Sequence, residues 1–506
     1  MGKNILICVL GGKGWLGGVY YIKNLLFQLS ISNEAQNKYH YFMLIQNDII
    51  DEFQEFIKSM KIYVIKCSKT ADLQEQLLLT CTDYNIDVVL PVQGGGYTWL
   101  INNICLYWIP DLQEIHLPEN FSADELELRK RIRSYIAEEH KGLILSSSDA
   151  YNDYKSLYPQ NLDNVFVAHF VSYIKPMVEA MSDSFEKEII NKYGIRYDYI
   201  FVSNQFWRHK NHIVVLKAIN KIVHEREEKI HLVCTGLMES YGRTDEYTKS
   251  LFRYVEEHNI QEYVHFLGLL ERKEQLCLMK NARMLIQPSK FEGWGCSVED
   301  GKVMGKKILL SDINVHKEQQ YLKSELFPQD DYKILADIIL NKFWNIPKYD
   351  LEYGNKYVMQ KALEYSEELQ KAIDAIQTFE KKDYLDELER RRKEKMVQLF
   401  GDLKQDQICI YGIGRCTEKL IESCQRVFGN SNFIYSDSDE RKWGIDFGHG
   451  KVYSPSCLLK LGIKRIVISS IKYQEEIYQS LKEIEDDIDI VKIYNSSKEL
   501  NEILWL

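Results

Sequence analysis

Short apolar runs alternate along this chain with segments in which apolar residues recur every three or four positions. In the first third, runs at residues 5–10, 41–45, 62–65, 88–91 and 142–146 predict strands, and the stretch from about 18 to 30 predicts a helix. A second series starts at a strand over 199–203, followed by a helix over 212–224 and a strand over 231–235. Strands at 264–267, 284–287 and 307–310, a helix near 298–304 and a long helical stretch at 357–379 complete it. This alternation predicts βαβ units and mainly parallel sheets. Within residues 380–404, Glu387-Leu-Glu-Arg-Arg-Arg-Lys-Glu-Lys395 carries opposite charges three and four positions apart, which predicts an exposed linking helix. A third α/β unit begins at Gln407, with strands expected at about 408 and at 433–435. The expected division is 1–185, 186–380, a linking helix at 381–404, and 405–506. A length of 506 residues accommodates about three domains.

Hydrophobic residues make up 45% of the chain and charged residues 27%, the profile of a soluble globular protein. The formal net charge of −10 argues against a general nucleic-acid binder. A basic cluster at Arg129-Lys-Arg-Ile-Arg133 has two readings: a solvated helix face, or a contact with anionic lipid headgroups or phosphate. The 11 cysteines show no metal-ligand spacing and no C-x-x-C pair. Neither a zinc site nor a disulfide framework is therefore expected. Cys8, Cys234 and Cys409 fall in strand-like runs, where a thiol is a small core residue, and a reducing compartment is implied. No apolar run reaches the length of about 18 residues that spans a membrane. The apolar run at residues 3–10 is too short for a signal-peptide core and enters a glycine-rich loop. The expected location is the cytoplasm, with a peripheral contact at the inner face of the membrane as an extension of it.

Three segments carry candidate chemistry, each joining an expected strand to an expected helix. Gly11-Gly-Lys-Gly-Trp-Leu-Gly-Gly18 offers a backbone that a phosphate can approach, at a helix N-terminus that attracts anions. It follows neither the Walker pattern nor G-x-G-x-x-G. Ser203-Asn-Gln-Phe-Trp-Arg-His-Lys-Asn-His212 places Arg208 and Lys210 at the carboxyl end of a strand, where open α/β sheets bind ligands. A forked donor beside a point charge suits a diphosphate. Pro288-Ser-Lys-Phe-Glu-Gly-Trp-Gly-Cys-Ser-Val-Glu-Asp300 adds Gly293 and Gly295, helix-opening amides at 296–298, and carboxylates at Glu292, Glu299 and Asp300. Asp300 also reads as an ordinary first-turn helix charge.

The second and third segments together resemble family-4 glycosyltransferases, retaining enzymes of GT-B architecture, in the bacterial surface-polysaccharide branch. Gly268 with the helix that follows to Ala282, and Ser311-Asp-Ile-Asn-Val-His-Lys-Glu318, resemble the family too. So does Trp108-Ile-Pro-Asp-Leu-Gln-Glu-Ile-His-Leu-Pro118, similar to the acceptor-domain W-x-x-D-x-Q segment. The resemblance runs over roughly residues 1–380. It implies two facing Rossmann-like domains, plus the small Rossmann-like third domain. It implies transfer of a hexose, with retention, from a nucleotide-diphosphate sugar to a glycan or lipid-linked acceptor. The sugar nucleotide is a co-substrate; no further cofactor and no metal are implied. Arg208 and Lys210 would hold the diphosphate, Glu292 would face the donor sugar, and Asp300 or Glu299 would meet the ribose. Gly11, Gly12, Gly17, Gly18, Asn204, Gln205, Gly293, Gly295, Cys296, Ser297 and Val298 would line the donor site. Asp111, Gln113 and His116 would stand on the acceptor side.

Three positions depart from the family pattern. Asp300 stands where a Glu is usual, Gln205 where many relatives carry Arg, and Glu114 where a His often follows the Gln. The alternative reading is a non-catalytic sugar-nucleotide binder or assembly protein that keeps the fold. In the third unit, Ile408-Cys-Ile-Tyr-Gly-Ile-Gly-Arg-Cys-Thr417 resembles a dinucleotide-binding start with Thr417 in place of the third glycine. Asp437 and Asp439 lie where a ribose-binding acid is expected. Nucleotide binding and a docking or homo-oligomerisation role are both open for this unit.

Overall fold

A computed structural model describes residues 2–9, 16–67, 73–94, 99–240, 243–244, 246–378, 381–429, 432–470, 473–482 and 487–493. Three parallel sheets organise them. The first contains β1 (Lys3–Cys8), β2 (Tyr39–Gln46), β3 (Tyr63–Cys67), β4 (Val88–Val92), β5 (Cys105–Ile109), β6 (Leu143–Leu145) and β7 (Val165–Val167), in the order β3-β2-β1-β4-β5-β6-β7. The second contains β8 (Tyr199–Ser203), β9 (His231–Thr235), β12 (Val264–Gly268), β13 (Met284–Gln287), β14 (Lys307–Ser311) and β15 (Ser324–Phe327), in the order β12-β9-β8-β13-β14-β15. A small antiparallel hairpin, β10 (Glu239–Ser240) with β11 (Arg243–Thr244), stands apart from it. The third contains β16 (Ile408–Tyr411), β17 (Ile434–Ser436), β18 (Val452–Tyr453), β19 (Arg465–Ile468) and β20 (Asp489–Lys492), in the order β18-β17-β16-β19-β20. The fold is thus mixed α/β with parallel, Rossmann-like sheets, as the alternation predicts.

Central strands of a parallel sheet are covered on both faces, so they read as unbroken apolar runs rather than as alternating ones. In β4, β5, β8 and β9 every residue is buried. Each sheet separates two apolar clusters. In the first domain, Ile5, Ile7 and Leu90 face one cluster, while Leu6, Val89 and Tyr107 face the other. The helix Leu351–Ala375 leaves the second domain and returns to the first. Leu369, Ala372 and Ile373 join the cluster built around Ile5 and Leu26. Lys3 Nζ donates to the carbonyls of Ile373, Asp374 and Ile376 at 3.0, 3.0 and 2.6 Å, which ties the end of that helix to β1. The helix Lys381–Phe400 then leads to the third sheet, and its Met396, Leu399 and Phe400 join that sheet's core.

In each sheet the chain reverses direction of growth beside its first strand: between β1 and β4, β8 and β13, and β16 and β19. Loops leaving the carboxyl ends of such a strand pair diverge and open a crevice. These crevices place every group considered below. Among the described residues, no helix is long and apolar enough to cross a membrane.

Candidate active site

β8 and β13 are neighbours at the switch point of the second sheet. The loops that leave their carboxyl ends therefore start side by side. A reciprocal amide pair joins the two starts: Asn204 Nδ2 donates to Gln287 Oε1, and Gln287 Nε2 to Asn204 Oδ1, both at 3.1 Å. The first loop coils through a short 3-10 turn, Arg208–Lys210, and Asn211 takes a left-handed conformation (φ 54°) to enter the helix His212–Arg226. The second loop ends at Gly295, which opens the helix Cys296–Val303.

These loops bring Lys210 and Glu292 together. Lys210 Nζ lies 2.7 Å from Glu292 Oε1, and their side chains are only 15% and 9% exposed. Ser289 Oγ at 2.6 Å and Gln287 Nε2 at 2.7 Å donate to the same oxygen. Burial by itself would raise the Glu292 carboxyl. The Lys210 charge and these hydrogen bonds outweigh it and bring the group down to about 2. Glu292 is thus a fixed anion at physiological pH, suited to accepting hydrogen bonds and stabilising positive charge rather than to donating a proton. His316 belongs to the same buried group. Its Nδ1 meets Ser311 Oγ at 3.0 Å and the Ser311 carbonyl at 2.9 Å, and its Nε2 has no hydrogen-bond partner. Burial lowers its pKa to about 4, so the ring is neutral.

The first domain closes over this pair. A Cβ on Gly293 would lie 2.7 Å from the Pro110 carbonyl oxygen and 2.8 Å from Asp111 Cβ. Glycine is required here by the approach of two backbones. Burial pushes the Asp111 carboxyl up, against the Gln113 amide and the Lys210 charge. Gln113 Nε2 reaches across to His209 Nδ1 at 3.2 Å. Burial, with Lys210 adding to it, brings His209 down to about 4. Trp294 Nε1 donates to the Phe170 carbonyl at 2.9 Å, and its ring packs 4.5 Å from His169. His169 bridges Glu318 (3.4 Å) and Glu368 (3.2 Å). Burial opposes its charge, yet the two carboxylates raise it to about 9.

Not every expected site residue joins this cluster. Arg208 is exposed, with its guanidinium 5.6 Å over the Tyr247 ring, and Gln205 is exposed as well. His116 sits at the rim: Nε2 is 2.6 Å from Asp153 Oδ2, and the ring is 5.3 Å from Phe291. Val298 is a core residue, and its amide is taken by the Gly295 carbonyl at 3.0 Å. Glu299's amide uses the same acceptor at 3.2 Å, so the amides left for an anion at this helix start are those of Cys296 and Ser297. Ser297 Oγ donates to the Ser203 carbonyl at 2.7 Å and locks the helix to the end of β8. Gly17 and Gly18 form the first turn of the helix Leu16–Ile31, whereas Gly11 and Gly12 lie outside the described residues. The basic cluster is not a uniform solvated face: Arg133 and Arg129 both turn to the buried Glu114, leaving Lys130 and Arg131 outward.

The two candidate ribose acids separate. Glu299 pairs with Lys302 at 2.8 Å, both side chains being 1% exposed, and accepts from Gln319 Nε2 at 2.8 Å. This removes it from the cleft. Asp300 accepts from Arg272 Nη2 at 2.7 Å and from Ser172 Oγ at 2.5 Å. The Arg272 guanidinium lies 4.9 Å over the ring of Tyr20, on the helix whose first turn holds Gly17 and Gly18. Arg272, Ser172 and Tyr20 were not expected from the sequence. One signal was available: Arg272 is the first residue of the helix Arg272–Asn281, where the helix dipole disfavours a cation unless it has another partner.

Residues 185–340 match the family model described as glycosyl transferases group 1, so the chain contains a group 1 glycosyltransferase domain. A search of curated proteins returned no match. Among solved structures, a glycosyltransferase from Rickettsia africae ESF-5 is similar, with 11% identity, a TM-score of 0.53, and coverage of 75% of this chain and 100% of the other. The Anabaena protein HepE in complex with UDP and glucose is similar at 13% identity and TM-score 0.51, covering 74% of this chain and 100% of that one. HepE in complex with UDP-glucose gives 14% identity, a TM-score of 0.51, and coverage of 74% and 99%. At these identities the likeness is one of fold, the GT-B pairing of two Rossmann-like domains.

Proposed function

We propose that this group 1 glycosyltransferase domain, with the domain that closes over it, transfers a hexose from a nucleoside-diphosphate sugar, with retention, to a glycan or lipid-linked acceptor in surface-polysaccharide or glycoconjugate assembly. The observation that carries the reading is the Lys210–Glu292 pair, buried where β8 and β13 end and faced by Asp111. In glycosyl transfer, positive charge develops on the sugar ring and negative charge on the leaving diphosphate. Glu292 is a fixed anion for the first, and its second oxygen is left for a sugar hydroxyl because the three donors converge on Oε1. Lys210 has two further N–H donors for the second. Arg208 at the mouth and the amides of Cys296 and Ser297 add to it, and the reading assigns this neutralisation to them rather than to a metal ion. A carboxylate held by three donors is a weak nucleophile, which favours same-face attack over a covalent intermediate. Asp300 is the ribose acid in this reading, because Glu299 is spent on Lys302. HepE, of the same fold, is seen with UDP-glucose, which supports a uridine-diphosphate donor. Contact with anionic headgroups would rest on Lys130 and Arg131. The test is the anomeric configuration of the first product formed from a labelled nucleotide hexose, read by NMR. Retention that disappears with all turnover in Glu292→Gln supports the reading; an inverted product overturns it.

A second reading, a non-catalytic sugar-nucleotide binder, draws on the exposed Gln205 and on Asp300 already being engaged by Arg272 and Ser172. It predicts binding of nucleotide sugar without release of nucleoside diphosphate.

A further inference from the structure

The third domain holds a cavity of about 590 Å³ that the transferase reading leaves unused. Its walls are the residues just past the carboxyl ends of β16 (Gly412, Gly414), β17 (Asp437, Asp439) and β19 (Ser469, Ser470). These three strands flank the reversal between β16 and β19, so the cavity is the switch-point crevice of this sheet. Its volume lies within the range of small-molecule sites and far exceeds what a lone phosphate fills.

The loop beside the cavity is fixed by its own contacts. Gly412 has φ +93°, and a Cβ there would stand 3.0 Å from Ser470 Cβ, so only glycine fits. Gly414, by contrast, has extended backbone, and a Cβ would meet nothing within 4 Å. Its backbone faces open space at the start of the 14-residue helix Arg415–Phe428. Thr417, in the place of the third glycine, pins the loop: Oγ1 donates to the Gly412 carbonyl at 2.7 Å and accepts from the Gly414 amide at 3.1 Å. Asp437 is a clamp and not a ligand acid. Its oxygens accept from the Ile413 amide (2.7 Å), the Asp439 amide (2.8 Å) and Lys442 Nζ (2.8 Å). Lys442 also donates to the Ile413 carbonyl at 2.9 Å, which holds an ammonium with one remaining donor at the cavity mouth. Asp439 lines the cavity and is held by Arg441, which is 90% exposed. Such a surface pair opens at little cost. The half-exposed Tyr473 supplies an aromatic face on the same wall set.

We infer that this cavity is a second nucleotide site, built wholly within the third domain, that takes a nucleoside mono- or diphosphate. The amides of Gly412, Ile413 and Gly414 are held by Ser436, Asp437 and Thr417, so the phosphates lie at the helix start just beyond Gly414 beside Lys442, the ribose hydroxyls meet Asp439, and the base lies against Tyr473.

The test is amide hydrogen exchange on the full chain with uridine, adenosine and guanosine mono- and diphosphates, and with inorganic phosphate alone. A fitting nucleotide at about ten times its Kd slows exchange of the amides at 412–418 about tenfold. Gly414→Asp keeps a helix-capping residue in open space but sets a carboxylate against the phosphates. The slowing at 412–418 is lost in Gly414→Asp and weakened in Asp439→Asn. Slowing at 203–212 and 288–300 reports the cleft of the second domain separately, so failure of either site is distinguishable. The inference is overturned if no nucleotide slows exchange at 412–418. It is equally overturned if inorganic phosphate alone does so as well as a nucleotide, or if Gly414→Asp leaves the effect intact.

Discussion

Replacing Lys210 with Met keeps most of its volume and removes its charge from beside a buried carboxylate. The Glu292 carboxyl lies at about 2 instead of 4.5. At about 1.4 kcal/mol for each pH unit, that difference is worth about 3 kcal/mol of stability. Both side chains are well shielded, so little of this is lost to solvent screening. The sign follows from the lowered pKa: the contribution is present above pH 4.5 and disappears as pH falls towards 2. Without Lys210, burial is opposed mainly by Ser289 and Gln287, and the carboxyl moves upward. Urea unfolding of the wild type, Lys210→Met, Glu292→Gln and the double variant measures the coupling. The expected coupling is about 3 kcal/mol at neutral pH, shrinking progressively below pH 4.5. A value under about 0.5 kcal/mol lies within ordinary additivity error and would refute the pair as the electrostatic centre of the cleft.

Other consequences follow from the same geometry. His169 is raised from 6.5 to about 9, so its contribution of about 3 kcal/mol is full below pH 6.5 and lost as pH rises through 9. Thermal unfolding across that range should show the loss in the wild type and a flat response in His169→Gln; matching curves would remove the role given to Glu318 and Glu368. Gly293→Ala forces a methyl against Pro110 and Asp111, so turnover should drop at least about tenfold while the second domain stays folded. Unchanged kcat/KM would show that this approach is not needed. Asp300→Asn should raise the donor KM, whereas Glu299→Gln should lower stability by about 3 kcal/mol through an unpaired Lys302. The reverse pattern would exchange the roles of the two acids. Arg272→Ala strands a buried Asp300 and should destabilise by about 3–5 kcal/mol, measured by urea unfolding. A change near zero would show that the Arg272–Asp300 contact carries no net stability.

Periodicity reached the parallel sheets because buried strands are short apolar runs separated by amphipathic helices. It missed β5, whose five buried residues Cys105–Ile109 follow a helical turn without a break. It also missed β7 and β15, three and four residues long at sheet edges. The helix expected at 357–379 begins earlier, at Leu351, because Asp350 caps it through the Tyr353 amide at 3.1 Å. Lys210 and Glu292 were legible because each follows a strand end, and adjacent strand ends bring loops together. Arg272 and Ser172 were not, because their meeting at Asp300 depends on how two domains pack. Nor does a motif show that the amide of Val298 is spent inside its own helix while those of Cys296 and Ser297 are not.

The central claim is that the cleft around Lys210 and Glu292 turns over a nucleotide sugar. The direct measurement is release of nucleoside diphosphate, followed by mass spectrometry, from a panel of nucleotide hexoses incubated with the wild type, Glu292→Ala and Lys210→Ala. The account predicts release from at least one donor by the wild type, and its loss in both folded variants. Wild-type-like release by either variant would contradict it, as would binding of donors without release by the wild type.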